Sequence, residues 1–237
     1  MNLSGGIFWH GRAWAAQSLW RQTCAEIATA LARCGHRASE LLLIGASAGW
    51  MIPTPWLQGF AKVDTWDIDP LAAPLFRWRH GAALKASGCA LQCHRFDALS
   101  GLEQLLQAHP DACVFFDNVL GQYRFYCSDP DEAAEKIAQI VHSLRGREWG
   151  SLHETYSGPV HGNPGLPAMQ QRVQGSADSA ARDVQWFEQL GATGEWLDHM
   201  TGGVFADGTL VHHIAWPFKP GTCHWLQLGW VRYERSL

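Results

Sequence analysis

Charge is what this sequence has least of. Only 17% of its 237 residues are Asp, Glu, Lys or Arg, and 18 basic against 22 acidic residues leave a formal net charge of −4. With no basic field to hold a phosphate backbone, nucleic acid is not an expected partner. The seven cysteines, at positions 24, 34, 89, 93, 113, 127 and 223, include no CxxC pair. Most sit inside apolar patterns, where a reduced thiol behaves as a small hydrophobe, so a reducing, cytoplasmic setting is expected. No apolar run approaches the roughly 20 residues that cross a bilayer, and no basic segment followed by an apolar one opens the chain. A membrane partner is therefore not expected either. Repeats and domain boundaries are also missing, so residues 1–237 read as one domain. Its 47% hydrophobic content is enough for a substantial core.

What is present is an alternation of strand-like and helix-like segments. Trp20, Cys24, Ile27 and Leu31 fall on one stripe of an amphipathic helix over 13–35, with Gly35 as its C-cap. Strands are expected at 40–45, 62–68, 89–96 and 111–117, separated by stretches long enough for helices at 49–60, 71–86 and 100–108. Such alternation implies right-handed crossovers and a parallel sheet. Ser128, followed by Asp129, Pro130 and Asp131, reads as the cap of a helix running to Gly146. A fifth strand at 148–156 leads into a Gly-, Pro- and Gln-rich stretch, 157–176, whose length suggests a lid loop. A helix over 177–190 follows. The segments 209–218 and 224–234, joined by Lys219, Pro220, Gly221 and Thr222, read as an antiparallel hairpin.

The chemistry-bearing stretch is Gly45, Ala46, Ser47, Ala48, Gly49, directly after the first strand. As GxSxG it is the nucleophile elbow of a serine hydrolase; as a degenerate GxGxG it is the first loop of a nucleotide-binding domain. An elbow sits mid-sheet, with several strands before it, and here none precedes it. Asp67 ends the second strand 18 residues past Gly49, near the roughly 20-residue offset at which an acid takes ribose hydroxyls. Asp97 follows the third strand, while Asp117 and Asn118 end the fourth. Three successive strands thus finish in acid or amide groups where open parallel sheets bind ligands.

The order LLLIGASAG, KVDTWDIDP, RFDAL and PDACVFFDNVLGQ, then helix, strand, helix and hairpin, resembles the class I S-adenosylmethionine-dependent methyltransferases over residues 38–235. The resemblance implies a Rossmann-like, doubly wound, mostly parallel seven-stranded sheet with an antiparallel C-terminal hairpin and helices on both faces. It implies S-adenosyl-L-methionine as cofactor and methyl transfer to a small-molecule acceptor. Gly45, Ala46, Ser47, Gly49 and Trp50 would pass by the methionine and ribose, and Asp67 with Ile68 would hold the ribose. Asp97 with Ala98 would meet the adenine, and Asp117 with Asn118 would face the sulfonium and the substrate. Two positions depart from the family pattern: Ser47 replaces a glycine, and Leu43 stands where an acid is usual.

A base is needed if the acceptor is a hydroxyl or thiol, and His153, Glu154 and Tyr123 are the candidates near strand ends. Thirteen tryptophans admit an aromatic-walled pocket, with Trp9, Trp14, Trp50 and Trp56 placed nearest the expected site, beside the plainer reading of core filler. No metal site is expected. His212 and His213 point to opposite faces of a strand, and Cys89 and Cys93 would lie about 13 Å apart along one. Three alternatives stay open: serine hydrolysis at Ser47, aminopropyl transfer from a decarboxylated relative of the cofactor, and a non-catalytic protein that kept the scaffold.

Overall fold

A computed structural model of the chain describes residues 6–162, 165–173 and 185–232. Its elements are α1 (Ile7–Ala15), α2 (Arg21–Cys34), β1 (Glu40–Ile44), α3 (Thr54–Leu57), β2 (Lys62–Asp67), α4 (Ala72–Phe76), a π-helical turn (Arg77–Gly81), α5 (Ala82–Ala86), β3 (Ala90–Arg95), α6 (Leu102–Ala108) and β4 (Cys113–Asp117). A 3-10 turn (Leu120–Phe125), α7 (Pro130–Ser143), β5 (Trp149–Pro159), β6 (Met169–Arg172), β7 (Leu197–Asp198), β8 (Leu210–Lys219) and β9 (Thr222–Val231) follow.

The strands form one sheet in the order β3-β2-β1-β4-β5-β9-β8-β6, with β7 pairing on β5. β1 to β5 run parallel, and β9 and β8 add the antiparallel hairpin. This is the expected doubly wound α/β sheet. Two short strands, β6 and β7, extend the seven that the sequence indicates.

Alternation along the strands assigns the two faces. Leu41 and Leu43 of β1 pack with Ile27 and Leu31 of α2 in one buried layer, while Leu42 and Ile44 join Leu105, Ile137 and Ile140 of α6 and α7 in the other. Burying each such side chain stabilises by about 1.5–3 kcal/mol, so a one-residue slip of β1 would exchange both layers and is strongly resisted. No helix among the described residues is long and apolar enough to cross a membrane.

Several boundaries differ from expectation for tertiary reasons. The single helix over 13–35 is two helices with a break at 16–20, because α1 folds back so that Trp9 and Trp20 both meet Trp216. The Asp129 carboxylate, not Ser128, caps α7 by accepting from the Asp131 amide, and the helix stops at Ser143 rather than Gly146. The stretch 157–176 is not irregular throughout. Residues 157–159 extend β5, and Met169–Arg172 pairs with β8; residues 163–164 and 174–176 lie outside the described residues, as does 177–184 of the expected helix, of which 185–189 is helical.

Candidate active site

In an open parallel sheet a crevice forms at the strand C-termini where the winding reverses, here between β1 and β4. A cavity of about 360 Å³ occupies it, lined by Gly45, Ser47, Trp50, Asp67, Ile68, Asp97, Ala98, Asp117, Asn118 and Tyr123 of the sequence-expected residues. Ala46, Gly49, His153 and Glu154 do not line it. Trp9, Trp20, Met51, Trp66, Phe96, Gln122, Tyr126 and Trp216 also line it, and of these only Trp9 was among the tryptophans placed near the site.

The loop after β1 needs its glycines. At Gly45, with φ at +73°, a Cβ would lie 2.8 Å from the Val119 Cβ and 3.1 Å from the Asp117 carbonyl oxygen. At Gly49, with φ at +60°, a Cβ would lie 2.5 Å from His80 Nε2. Gly49 therefore shapes the loop from behind and does not border the cavity. Ser47 adopts a left-handed φ of +46°. Its amide donates to Asp67 Oδ2 at 2.7 Å, and the Asp69 amide donates to Asp67 Oδ1 at 2.8 Å. Each oxygen thus accepts one amide and keeps a lone pair for another donor.

The Ser47 hydroxyl accepts from the Trp9 indole N–H at 3.0 Å. An indole has no basic nitrogen, and no described histidine hydrogen-bonds to Ser47, so the elbow reading lacks its base. A second set of contacts holds α1 on the loop. Trp50 Nε1 donates to His10 Nδ1 at 3.1 Å, which leaves the His10 proton on Nε2, 3.1 Å from Asp69 Oδ2.

Asp117 is 9% exposed, and its carboxylate accepts no hydrogen bond from any described residue. Burial, reinforced by the negative charge of Asp67, pushes it up to about 8. Asp67 is also raised, chiefly by burial, which outweighs its two amide donors.

Comparison with solved structures gives neighbours of low identity. One is an O-methyltransferase family protein from Burkholderia thailandensis, 15% identical with a TM-score of 0.49; the match covers 94% of this chain and spans 59% of that protein. Another is the magnesium protoporphyrin IX methyltransferase from Synechocystis PCC 6803 with bound SAH, 14% identical, TM-score 0.47, covering 90% of this chain and 84% of that one. A third is a SAM-dependent methyltransferase from Anabaena variabilis ATCC 29413, 14% identical, TM-score 0.41, covering 92% and 94%. No family model and no curated protein matches the chain. The strand order establishes the fold, and the cavity alone speaks to the chemistry.

The candidate bases are placed differently from expectation. His153 is fully buried, with Nδ1 2.9 Å from the Ser151 hydroxyl, and burial holds it down at about 3. Glu154 lies behind Asn118, whose Nδ2 donates to Glu154 Oε1 at 2.7 Å while its Oδ1 accepts the Glu154 amide at 3.0 Å. Both ends of the Asn118 amide are thereby committed. His199 Nε2 and His224 Nδ1 approach the Glu154 carboxylate at 3.3 and 3.1 Å. Burial alone would raise Glu154, but these imidazoles and Asn118 outweigh it and hold it at about 2. Tyr123 borders the cavity, and burial, with Asp97 beside it, raises its phenol further above its ordinary range. At neutral pH it is a proton donor, not a base.

At the opposite end of the sheet Glu40, Asp64 and His109 form the grouping of metal-type ligands found among the described residues. Lys62 Nζ bonds Glu40 at 2.7 Å and Asp64 at 2.8 Å, so an ammonium already supplies the positive charge there. Sequence reasoning missed Trp20 and Trp216 as cavity walls, because strand β8 meets α1 and α2 only in the folded chain.

Proposed function

We propose that the chain transfers a methyl group from S-adenosyl-L-methionine to a small-molecule acceptor. The observation that carries this reading is one cavity at the strand ends in which the Asp67 carboxylate fastens the Gly45–Gly49 loop while the Asp117 carboxylate stands without a partner. The residues fit the cofactor. Asp67 has acceptor capacity left for a vicinal diol. Asp97 borders the cavity beside Ile68 and Phe96, which are 56% and 53% exposed and offer apolar faces for a purine. The unpartnered Asp117 matches a cationic centre, since a buried carboxylate is strongly stabilised by an opposite charge.

The cofactor supplies a methyl group already activated on a sulfonium. The protein's own part is to bind, align and exclude water. Asp67 and Asp97 fix the nucleoside, Asp117 neutralises positive charge, and Trp9, Trp50 and Trp216 keep that end of the cavity apolar. The Tyr123 phenol, held protonated, donates to whatever acceptor atom reaches it. His153 and Glu154 take no part as bases in this scheme.

Calorimetry with adenosylmethionine and its demethylated product tests the reading. Micromolar binding of both is expected, and an absence of heat at millimolar ligand overturns it. The acidic lining also favours aminopropyl transfer as a second reading. Tighter binding of the decarboxylated cofactor than of adenosylmethionine, by tenfold or more, selects that one.

A further inference from the structure

Every ionisable carboxyl or basic side chain lining the cavity is an acid: Asp67, Asp97 and Asp117. Among the described residues no lysine, arginine or histidine lines it. The nearby guanidiniums are engaged elsewhere: Arg79 lies 4.4 Å from the Trp50 ring centroid with Nη2 3.4 Å from the Trp50 carbonyl, and Arg12 sits 5.2 Å over Phe218. Of the three acids, Asp67 is tied to two amides and Asp97 to the amides of Leu99 and Ser100. Asp117 alone is buried and has no partner among the described residues, so it is the group whose charge most needs an external partner.

The Cys24 thiol on α2 is pushed up to about 11, mainly by burial, with Asp117 adding to the rise and Arg79 opposing it. Asp117 lines the same cavity as Trp9, Trp20, Met51 and Trp216, which form its apolar wall. Trp9, Trp20 and Trp216 pack together there, with ring centroids 5.0–6.5 Å apart. An apolar wall beside one buried carboxylate describes a site for an apolar body that carries a cation.

We propose that the acceptor is an amine on an aromatic or otherwise apolar body, with Asp117 holding its ammonium and receiving its proton. This rests on the methyl-transfer reading and specifies the substrate class of the same site. The charge balance of the reaction favours nitrogen. A phenolate or carboxylate acceptor would enter negatively charged among three carboxylates, with no cation of the described lining to meet it beside the cofactor's own sulfonium. An amine enters positive, gives one proton to Asp117, and attacks as the neutral base. Its lone pair forms the new C–N bond as the C–S bond breaks with its electron pair left on sulfur. As positive charge develops on nitrogen, the carbonyl oxygen of the now neutral Asp117 carboxyl accepts a hydrogen bond from the remaining N–H.

The test uses three compounds that share one aromatic body: tryptamine, indole-3-ethanol and indole-3-acetate. Each is titrated calorimetrically into the full-length protein saturated with the demethylated cofactor product. The amine is expected to bind at least tenfold more tightly than the alcohol, with the acid weakest. In Asp117→Asn the ratio of amine to alcohol affinity should fall to near one. Equal or tighter binding of the alcohol or acid, no saturable binding of tryptamine up to 10 mM, or an unchanged ratio in Asp117→Asn overturns the amine proposal. If Asp117→Asn does not fold, the wild-type ranking decides by itself. Failure of the demethylated product to bind sinks the methyl-transfer reading instead, so the two failures are distinguishable.

Discussion

Two buried carboxylates, Asp117 at the end of β4 and Glu154 on the adjoining β5, are driven in opposite directions. Asp117 has no partner among the described residues and rises to about 8, whereas Glu154 is surrounded by Asn118, His199 and His224 and falls to about 2. Burial acts on both in the same sense, so the difference lies wholly in the partners. His199, just after β7, and His224 of β9 complete the electrostatics of Glu154, which in turn fixes Asn118. At the end of β4 no described residue does the same for Asp117. A satisfied acid behaves as architecture and an unsatisfied one as a site, which is why Glu154, a candidate base by sequence, loses that role and Asp117 gains weight.

The largest expected effect comes from removing the satisfied acid. Glu154→Ala strands two imidazoles and the Asn118 amide, and should lower unfolding stability by about 3–5 kcal/mol in urea titration. A midpoint within error of the parent would break the comparison. Next, Asp67→Ala removes the nucleoside's main acceptor and the clamp on Ser47, and should weaken adenosylmethionine binding by roughly 100-fold, or about 2.7 kcal/mol. Affinity within threefold of the parent would show that Asp67 does not hold the ligand.

The pH dependence sharpens the contrast further. A raised acid binds more protons folded than unfolded, so the Asp117 contribution makes the unliganded protein less stable as pH rises from about 4 to about 8. Asp117→Asn should flatten that slope and raise the melting temperature at pH 8 by several degrees, the equivalent of about 1–2 kcal/mol. Glu154 has the opposite sign: its stabilisation is present above its ordinary range and disappears as pH falls toward 2. A melting curve unaffected by Asp117→Asn at every pH would mean that the carboxylate is not strained in the free protein. The smallest effect is expected for Trp9→Phe, which removes one hydrogen bond to Ser47 and trims the indole to a phenyl ring. About 0.5–1.5 kcal/mol of stability is at stake, read by thermal unfolding. Loss of all ligand binding in that variant would instead assign Trp9 a direct contact.

Much of the fold was legible because strand periodicity and length are local. β1 to β4 appear within two residues of where the apolar runs place them. Asp67, Asp97 and Asp117 were legible for the same reason: each follows a strand, and parallel strands deliver their ends to one edge. His153 and Glu154 misled because the residue after a strand end faces either the crevice or the interior, and β5 continues to Pro159, well past both. The broken N-terminal helix was illegible since its stripe is compatible with a continuous one, and only contact with Trp216 selects the fold-back.

The sequence by itself determined the parallel sheet, the glycine-bounded loop after β1 and the three acids at the strand ends, because each depends on residues close together in the chain. Which carboxylate remains without a partner, which tryptophans wall the cavity and whether Ser47 meets an imidazole or an indole were decided only in three dimensions. Those outcomes depend on partners far apart in the chain, such as Trp9 with Ser47 and Trp20 with Trp216, and a charge's environment is set by distance in space.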